Sequence, residues 1–212
     1  MEKKNKNKIF SLAMSILSLA FMTVGTTFSF FTYVTKSKEN AVEVKSANFK
    51  LAVDVSPLYD SKKIIPTNDN DIIKAFYNEC IDDNLYGACY AYNIKITSEG
   101  DPLDVIGNFK TKRDGIDNLK YMILDADNKD ENNNYLIYKE PSFTKLEYEP
   151  IGNSFSFNKD NTTRNLILVI WLSNTGEIQD EESNKYFTGY FLVNSTQGSK
   201  ITGSITASVD NS

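Results

Sequence analysis

Apolar and polar residues alternate one by one along short stretches of this chain, and that period of two commits it to β-structure. Phe49, Leu51, Val53 and Val55 alternate with Asn48, Lys50, Ala52 and Asp54. Tyr90, Tyr92, Ile94 and Ile96 alternate with Cys89, Ala91, Asn93 and Lys95, and Leu119, Tyr121 and Ile123 with Lys120, Met122 and Leu124. Residues 135–138, 143–148 and 155–157 are shorter runs, and 186–193 and 201–209 complete the set. The run LILVIWL at 166–172 is apolar on both faces, so it reads as a central strand covered from each side, with Trp171 in the core.

Turn-rich stretches separate the runs: TNDND at 67–71, DADNKDENNN at 125–134 and SNTGEIQDEESNK at 173–185. Only 71–77, DIIKAFY, has a helical pattern, with Asn68 or Asp69 placed to cap it. Many short strands without a strand-helix-strand rhythm predict an all-β chain: one β-sandwich of jelly-roll type. The predicted organisation is a signal segment at 1–29, an arm at 30–48 and a sandwich at 49–212.

The N-terminus reads as an export signal. Lys3, Lys4, Lys6 and Lys8 precede the apolar stretch 9–24, and the small residues Thr27 and Ser29 stand at the −3 and −1 positions of a cleavage after Ser29. An uncleaved anchor is the alternative, since the 23 residues 9–31 are long enough to span a bilayer. Either way the body lies outside the cytoplasm, where disulfides persist. Cys80 and Cys89 bracket a short polar loop that suits a disulfide. After Ser29 the chain continues Phe30, Phe31, Thr32, Tyr33, Val34, an apolar opening whose rings need burial on their own domain, in a membrane or in a neighbour.

Composition narrows the function. The formal net charge of −5 comprises +3 in residues 1–29 and −8 in the rest. An acidic body repels phosphate backbones, so nucleic acid is not an expected partner. The chain contains no histidine. Ser-His-Asp and Cys-His catalysis, HExxH zinc sites and haem ligation through histidine are therefore closed to it. No catalytic, cofactor-binding or metal-ligating residues are expected.

The closest approach to a cation loop is 125–134, with Asp125, Asp127, Asp130 and Glu131. An EF-hand wants an oxygen donor, Gly and Glu at its fifth, sixth and twelfth positions, where this chain has Lys129, Asp130 and Leu136. The stretch reads as a solvated hairpin tip, and Asp180, Glu181 and Glu182 read as a second acidic loop. Asn161-Thr162-Thr163 and Asn194-Ser195-Thr196 match glycan-acceptor triplets. No pair of carboxylates stands out for glycosidase chemistry.

Three stretches together resemble the TasA/camelysin family of exported biofilm-matrix proteins of Gram-positive bacteria. They are GTTFSFFTYVTKSKENAVEVKSANFKLAV at 25–53, CIDDNLYGACYAYNIKITSEG at 80–100, and WLSNTGEIQDEESNKYFTGYFLV at 171–193 followed by ITGSI at 201–205. The chain departs from the family in lacking the Gly-Thr-Leu-Asp-Leu form of its first strand. The resemblance implies a jelly-roll subunit, trimmed by a dedicated signal peptidase, that polymerises head to tail into extracellular fibres. The donor arm would then be Phe30, Phe31, Thr32, Tyr33 and Val34, completing the sheet of the next copy. A metallopeptidase activity described for camelysins is not carried over, because no histidine or metal site supports it. Cell wall or other matrix proteins are the further partners expected. The competing readings are a monomeric or membrane-anchored surface-binding module and, more remotely, a carboxylate hydrolase.

Overall fold

The computed structural model describes residues 42–45, 49–60, 63–182, 185–195 and 200–208, with backbone alone for 42–45, 180 and 200–208. The signal segment 1–29 with Thr27 and Ser29, and the arm residues Phe30, Phe31, Thr32, Tyr33 and Val34, lie outside the described residues.

Two antiparallel sheets stack face to face as a β-sandwich. The first holds β1 (Val42–Lys45), β2 (Phe49–Pro57), β3 (Tyr90–Gly100), β9 (Thr163–Leu172), β5 (Leu119–Lys129) and β6 (Tyr135–Phe143), in that spatial order. The second runs β11 (Lys200–Ser208), β10 (Tyr186–Ser195), β4 (Leu103–Arg113) and β7 (Glu149–Pro150), with β8 (Phe155–Phe157) also on β4. The chain changes sheet after β3, β4, β6, β8 and β9 and stays within a sheet at its hairpins, the criss-cross expected of a sandwich.

The two-sided run finds its two cores. Leu166, Leu168, Ile170 and Leu172 point into the space between the sheets, beside Tyr92, Ile94, Ile96, Phe109 and Phe191. Ile167, Val169 and Trp171 point the other way, where Ile72, Phe76, Cys80, Cys89, Met122 and Leu124 cover them. The helix α1 (Ile72–Tyr77) and the disulfide loop thus roof the outer face of the first sheet. This second core lets β9 be apolar on both faces although only one sheet packs against it.

β4 is a strand that alternation did not reveal. Its inward positions are Leu103, Val105, Gly107, Phe109 and Thr111, all buried. Gly107 and Thr111 interrupt the apolar period, while Asp104, Asn108, Lys110 and Lys112 give the segment a polar appearance. Gly107 is there because neighbours fill the space a side chain would need: a Cβ would stand 2.9 Å from Ile151 Cδ1 and 3.0 Å from Phe191 Cζ. Gly107→Ala is expected to cost about 1–3 kcal/mol by overpacking, read as a lower urea midpoint with an unchanged m-value. An unchanged midpoint would show that Ile151 yields freely.

Other boundaries move for physical reasons. Val42–Lys45, within the stretch read as an arm, pairs in register with β2 and belongs to the body. The runs at 135–138 and 143–148 are not two strands. One strand, β6, spans Tyr135–Phe143, and 144–148 is irregular. Pro141 does not break β6 because this edge strand needs hydrogen bonds on one side only.

Candidate functional site

The helix and the disulfide loop form the most elaborated surface on the sandwich. Cys80 and Cys89 are joined, and both are buried against the roof core. Between them Asp82 holds the loop: its Oδ1 accepts the N–H groups of Asn84 at 2.9 Å and Tyr86 at 2.8 Å. That turn places Leu85 at φ +69° and leaves it 75% exposed, with Tyr86 exposed beside it. Lys74 of α1 reaches Asp83 at 2.5 Å, and both line a cleft of about 570 Å³. Pro66, Asn68, Asp71, Asn78 and Asp82 are among its lining residues, so the cleft is polar.

Of the two cap candidates, Asn68 stands at the cap position of the turn without a capping bond from its side chain, and Asp69 has another role. A 3₁₀ turn, Asp69–Asp71, leads into α1, and neither turn nor helix has a side-chain cap. Asp69 faces the sheet instead. It accepts Trp171 Nε1–H and Ser173 Oγ–H, each at 2.9 Å, and pairs with Lys120. Asp69 is therefore a pin between roof and sheet. Burial alone would push its carboxyl pKa up, but the bonds from Lys120, Trp171 and Ser173 outweigh that and hold it below the usual carboxylate value.

The two acidic stretches also prove structural. Asp125 and Asp127 are not at the hairpin tip but inside β5, where Arg164 of β9 pairs with both. Nη2 lies 2.6 Å from Asp125 and Nη1 3.3 Å from Asp127. Asp127 also accepts the N–H of Asn165 at 2.9 Å. Burial raises the Asp125 pKa, but hydrogen bonds from Asn128 and Arg164 and the guanidinium charge win and lower it. Asp130 and Glu131 occupy the true tip, where Asp130 accepts N–H bonds from Asn132 and Asn134. In the second stretch, Glu182 is buried rather than solvated. Its Oε1 accepts the N–H groups of Asp117 at 2.8 Å and Asn118 at 3.1 Å, tying the β9–β10 loop under the sandwich end.

One further carboxylate, Glu149, is not singled out by sequence. Tyr121 donates its hydroxyl hydrogen to Oε1 at 2.5 Å, and Lys145 lies 2.9 Å from Oε2. Burial works to raise the Glu149 pKa, and these donors, with Lys139, bring it down. Burial foremost, then Glu149, pushes the Tyr121 hydroxyl far up. No one-dimensional signal marks Glu149, since its partners come from β5, β6 and the following loop.

These carboxylates share a pH consequence. Asp69, Asp125 and Glu149 have folded-state pKa values below their unfolded ones. Their stabilisation is therefore full above the unfolded values and is lost as pH falls through the folded ones. Thermal midpoints are expected to hold from neutrality to about pH 5 and to fall steeply below about pH 4. A midpoint flat down to pH 3 would contradict the assignment.

Among the described residues, no three Asp, Glu or Cys side chains are grouped to hold a metal ion. No helix among them is long and apolar enough to cross a membrane. Of the two glycan triplets, Asn161 is exposed in a turn, whereas Asn194 lies in β10 with its Oδ1 buried.

Fold and site together define a class: an all-β sandwich domain with a disulfide-closed helical roof. No protein-family model matches the chain, and no curated protein matches it. Among solved structures it is similar to the cupredoxin domain of amoB from Nitrosocaldus yellowstonii, at 9% identity over 79% of this chain and 90% of that one, with a TM-score of 0.39. It is similar also to the GAE domain of GGA2p from Saccharomyces cerevisiae, at 10% identity over 82% and 98% of the two chains, TM-score 0.23. A third is the CooA pilin subunit of enterotoxigenic Escherichia coli, at 12% identity over 74% and 99%, TM-score 0.28.

Proposed function

We propose that this chain is a non-enzymatic structural protein of the TasA/camelysin kind. In this reading it is exported, freed of residues 1–29 by a signal peptidase, and built into extracellular fibres or a surface layer. Subunits join head to tail. The arm Phe30, Phe31, Thr32, Tyr33 and Val34 of one copy adds to a sheet edge of the next. The observation that carries this reading is a sandwich whose outermost strands are paired on one side only among the described residues, preceded in sequence by an uncharged aromatic arm. Main-chain hydrogen bonds along an edge supply affinity, and a head-to-tail contact that does not close makes a filament. The buried Cys80–Cys89 bond fits an oxidising compartment.

Negative-stain electron microscopy tests it. A chain starting at Phe30 is expected to form filaments, and one starting at Lys36 is expected to remain as single particles. Monodisperse particles from both would end the self-assembling form of the proposal. A second reading, a monomeric or anchored surface-binding module, draws on the cleft beside α1 and the exposed Leu85 and Tyr86. Retention of residues 1–29 on the mature protein would favour it.

A further inference from the structure

Two walls enclose the cleft of about 570 Å³ beside α1. One runs from Pro66 through α1 to Asn78, and the other is the start of the disulfide loop, from Ile81 to Asn84. Both are fixed to the sandwich. Thr67 donates its N–H to the carbonyl of Leu172 at 2.8 Å and accepts that of Asn174 at 3.0 Å, and the Asp69 pin to Trp171 follows. The Cys80–Cys89 bond holds the second wall, and Lys74 with Asp83 joins one wall to the other. The volume lies within the ordinary range of small-ligand sites, about 300–1,000 Å³, and walls held in this way lose little freedom on binding.

The side-chain donors of the lining are already engaged within the protein. Thr67 Oγ1–H goes to the carbonyl of Ile65 at 3.1 Å, and Asn68 Nδ2 to Asp71 Oδ2 at 3.2 Å. Lys74 Nζ goes to Asp83 Oδ2, Asn78 Nδ2 to the carbonyl of Ile81 at 3.1 Å, and Asn84 Nδ2 to Asp82 Oδ2 at 3.5 Å. The acceptors are in the opposite state. Among the described residues, Oδ1 of Asp71 and of Asp83 accepts no hydrogen bond, and neither do the side-chain carbonyl oxygens of Asn68, Asn78 and Asn84. The charges lean the same way, with Asp71, Asp82 and Asp83 against Lys74 alone.

Such a lining selects a ligand rich in donors and not anionic. A phosphate, sulfate or uronate would bring acceptors to acceptors and negative charge to negative charge. Carboxylate oxygens favour a cationic donor, whereas the uncharged amide oxygens are satisfied by hydroxyls. Both kinds together ask for hydroxyls and an ammonium on one molecule.

We propose that the cleft binds an amino sugar, a unit of a glycan whose amino groups are not acetylated, with its ammonium against Asp71 and its hydroxyls on the amide oxygens of Asn68, Asn78 and Asn84. A surface-binding module and a fibre subunit present the same cleft, so this inference goes beyond both readings and depends on neither.

Titration calorimetry of the chain starting at Phe30 tests it, at physiological ionic strength, where charges more than about 8 Å apart are largely screened. Four soluble probes are compared: a tetramer of β-1,4-linked glucosamine, its fully N-acetylated form, a tetramer of galacturonic acid, and spermine, which matches the charge of the first but has no hydroxyl. The glucosamine tetramer is expected to bind saturably at one site and at least tenfold more tightly than the other three. Asp71→Asn is expected to weaken it at least tenfold, the scale of one hydrogen bond to a charged group. Glu131→Gln makes the same change of charge at the β5–β6 hairpin tip and is expected to leave binding within twofold. Both residues are exposed, so an unchanged thermal midpoint verifies that each variant is folded. No saturable binding, equal binding of spermine or of the acetylated tetramer, or equal loss in the two variants would overturn the proposal, the last by reducing it to attraction by net charge. None of these results bears on filament formation, which decides the fibre reading separately.

Discussion

Replacing Trp171 by alanine is expected to destabilise the protein by about 3–5 kcal/mol, the range for removing a large aromatic from a packed core. Trp171 is fully buried on the outer face of β9, under Phe76 and the Cys80–Cys89 bond. Its ring fills the roof core, and its Nε1–H, donated to Asp69 at 2.9 Å, fixes the turn that starts α1. Alanine removes both. Urea unfolding followed by circular dichroism reads the loss, with Trp171→Phe as the discriminating partner. Phenylalanine keeps most of the volume but leaves Asp69 with Lys120 and Ser173 alone. That variant is expected to cost about 1–2 kcal/mol, a packing change plus one lost hydrogen bond to a charged group. If the two variants were equally destabilised, the bond and not the packing would hold the roof. Because Trp171 is the chain's one tryptophan, its fluorescence in the unaltered protein also reports on the roof alone. Hydrogen exchange of 72–89 is expected to accelerate in the alanine variant more than that of β9.

The second large effect concerns Arg164. Arg164→Met is expected to cost about 2–3 kcal/mol, below the 3–5 typical of a fully buried pair because these groups retain some exposure. The side chains of Arg164 and Asp125 are 16% and 11% exposed. Most of the cost is the Asp125 charge left without its cation, not the attraction itself. The double variant Arg164→Met, Asp125→Leu is therefore expected to recover most of the loss. A double variant no better than the single would mean that Asp127, which also receives Arg164 and Asn165, carries the effect.

Much of the fold was written in local pattern. Strands β2, β3, β5 and β9 follow from alternation or from continuous apolarity, because a strand presents its side chains to two faces in turn. The all-β class, the short helix at 72–77 and the disulfide were legible for similar reasons: each depends on residues close together in the chain. Trp171 read as core because a two-sided apolar run has to be covered twice.

What needed the tertiary structure is what partners decide. β4 escaped because Gly107 occupies an inward position, and only the packing of Ile151 and Phe191 explains that glycine. Asp125, Glu182 and Asp69 looked like solvated acids or caps, since a carboxylate's role depends on what stands opposite it. Their partners, Arg164, Asp117 with Asn118, and Trp171 with Lys120, lie 39, 64 to 65, and 51 to 102 residues away. The same holds for the sheet edges. The sequence by itself determined that the chain makes strands and that an uncharged aromatic segment precedes them. Which strand ends a sheet, as β6 ends the first, was decided by spatial order alone, because hydrogen bonding between strands is non-local and leaves no periodic mark on either one.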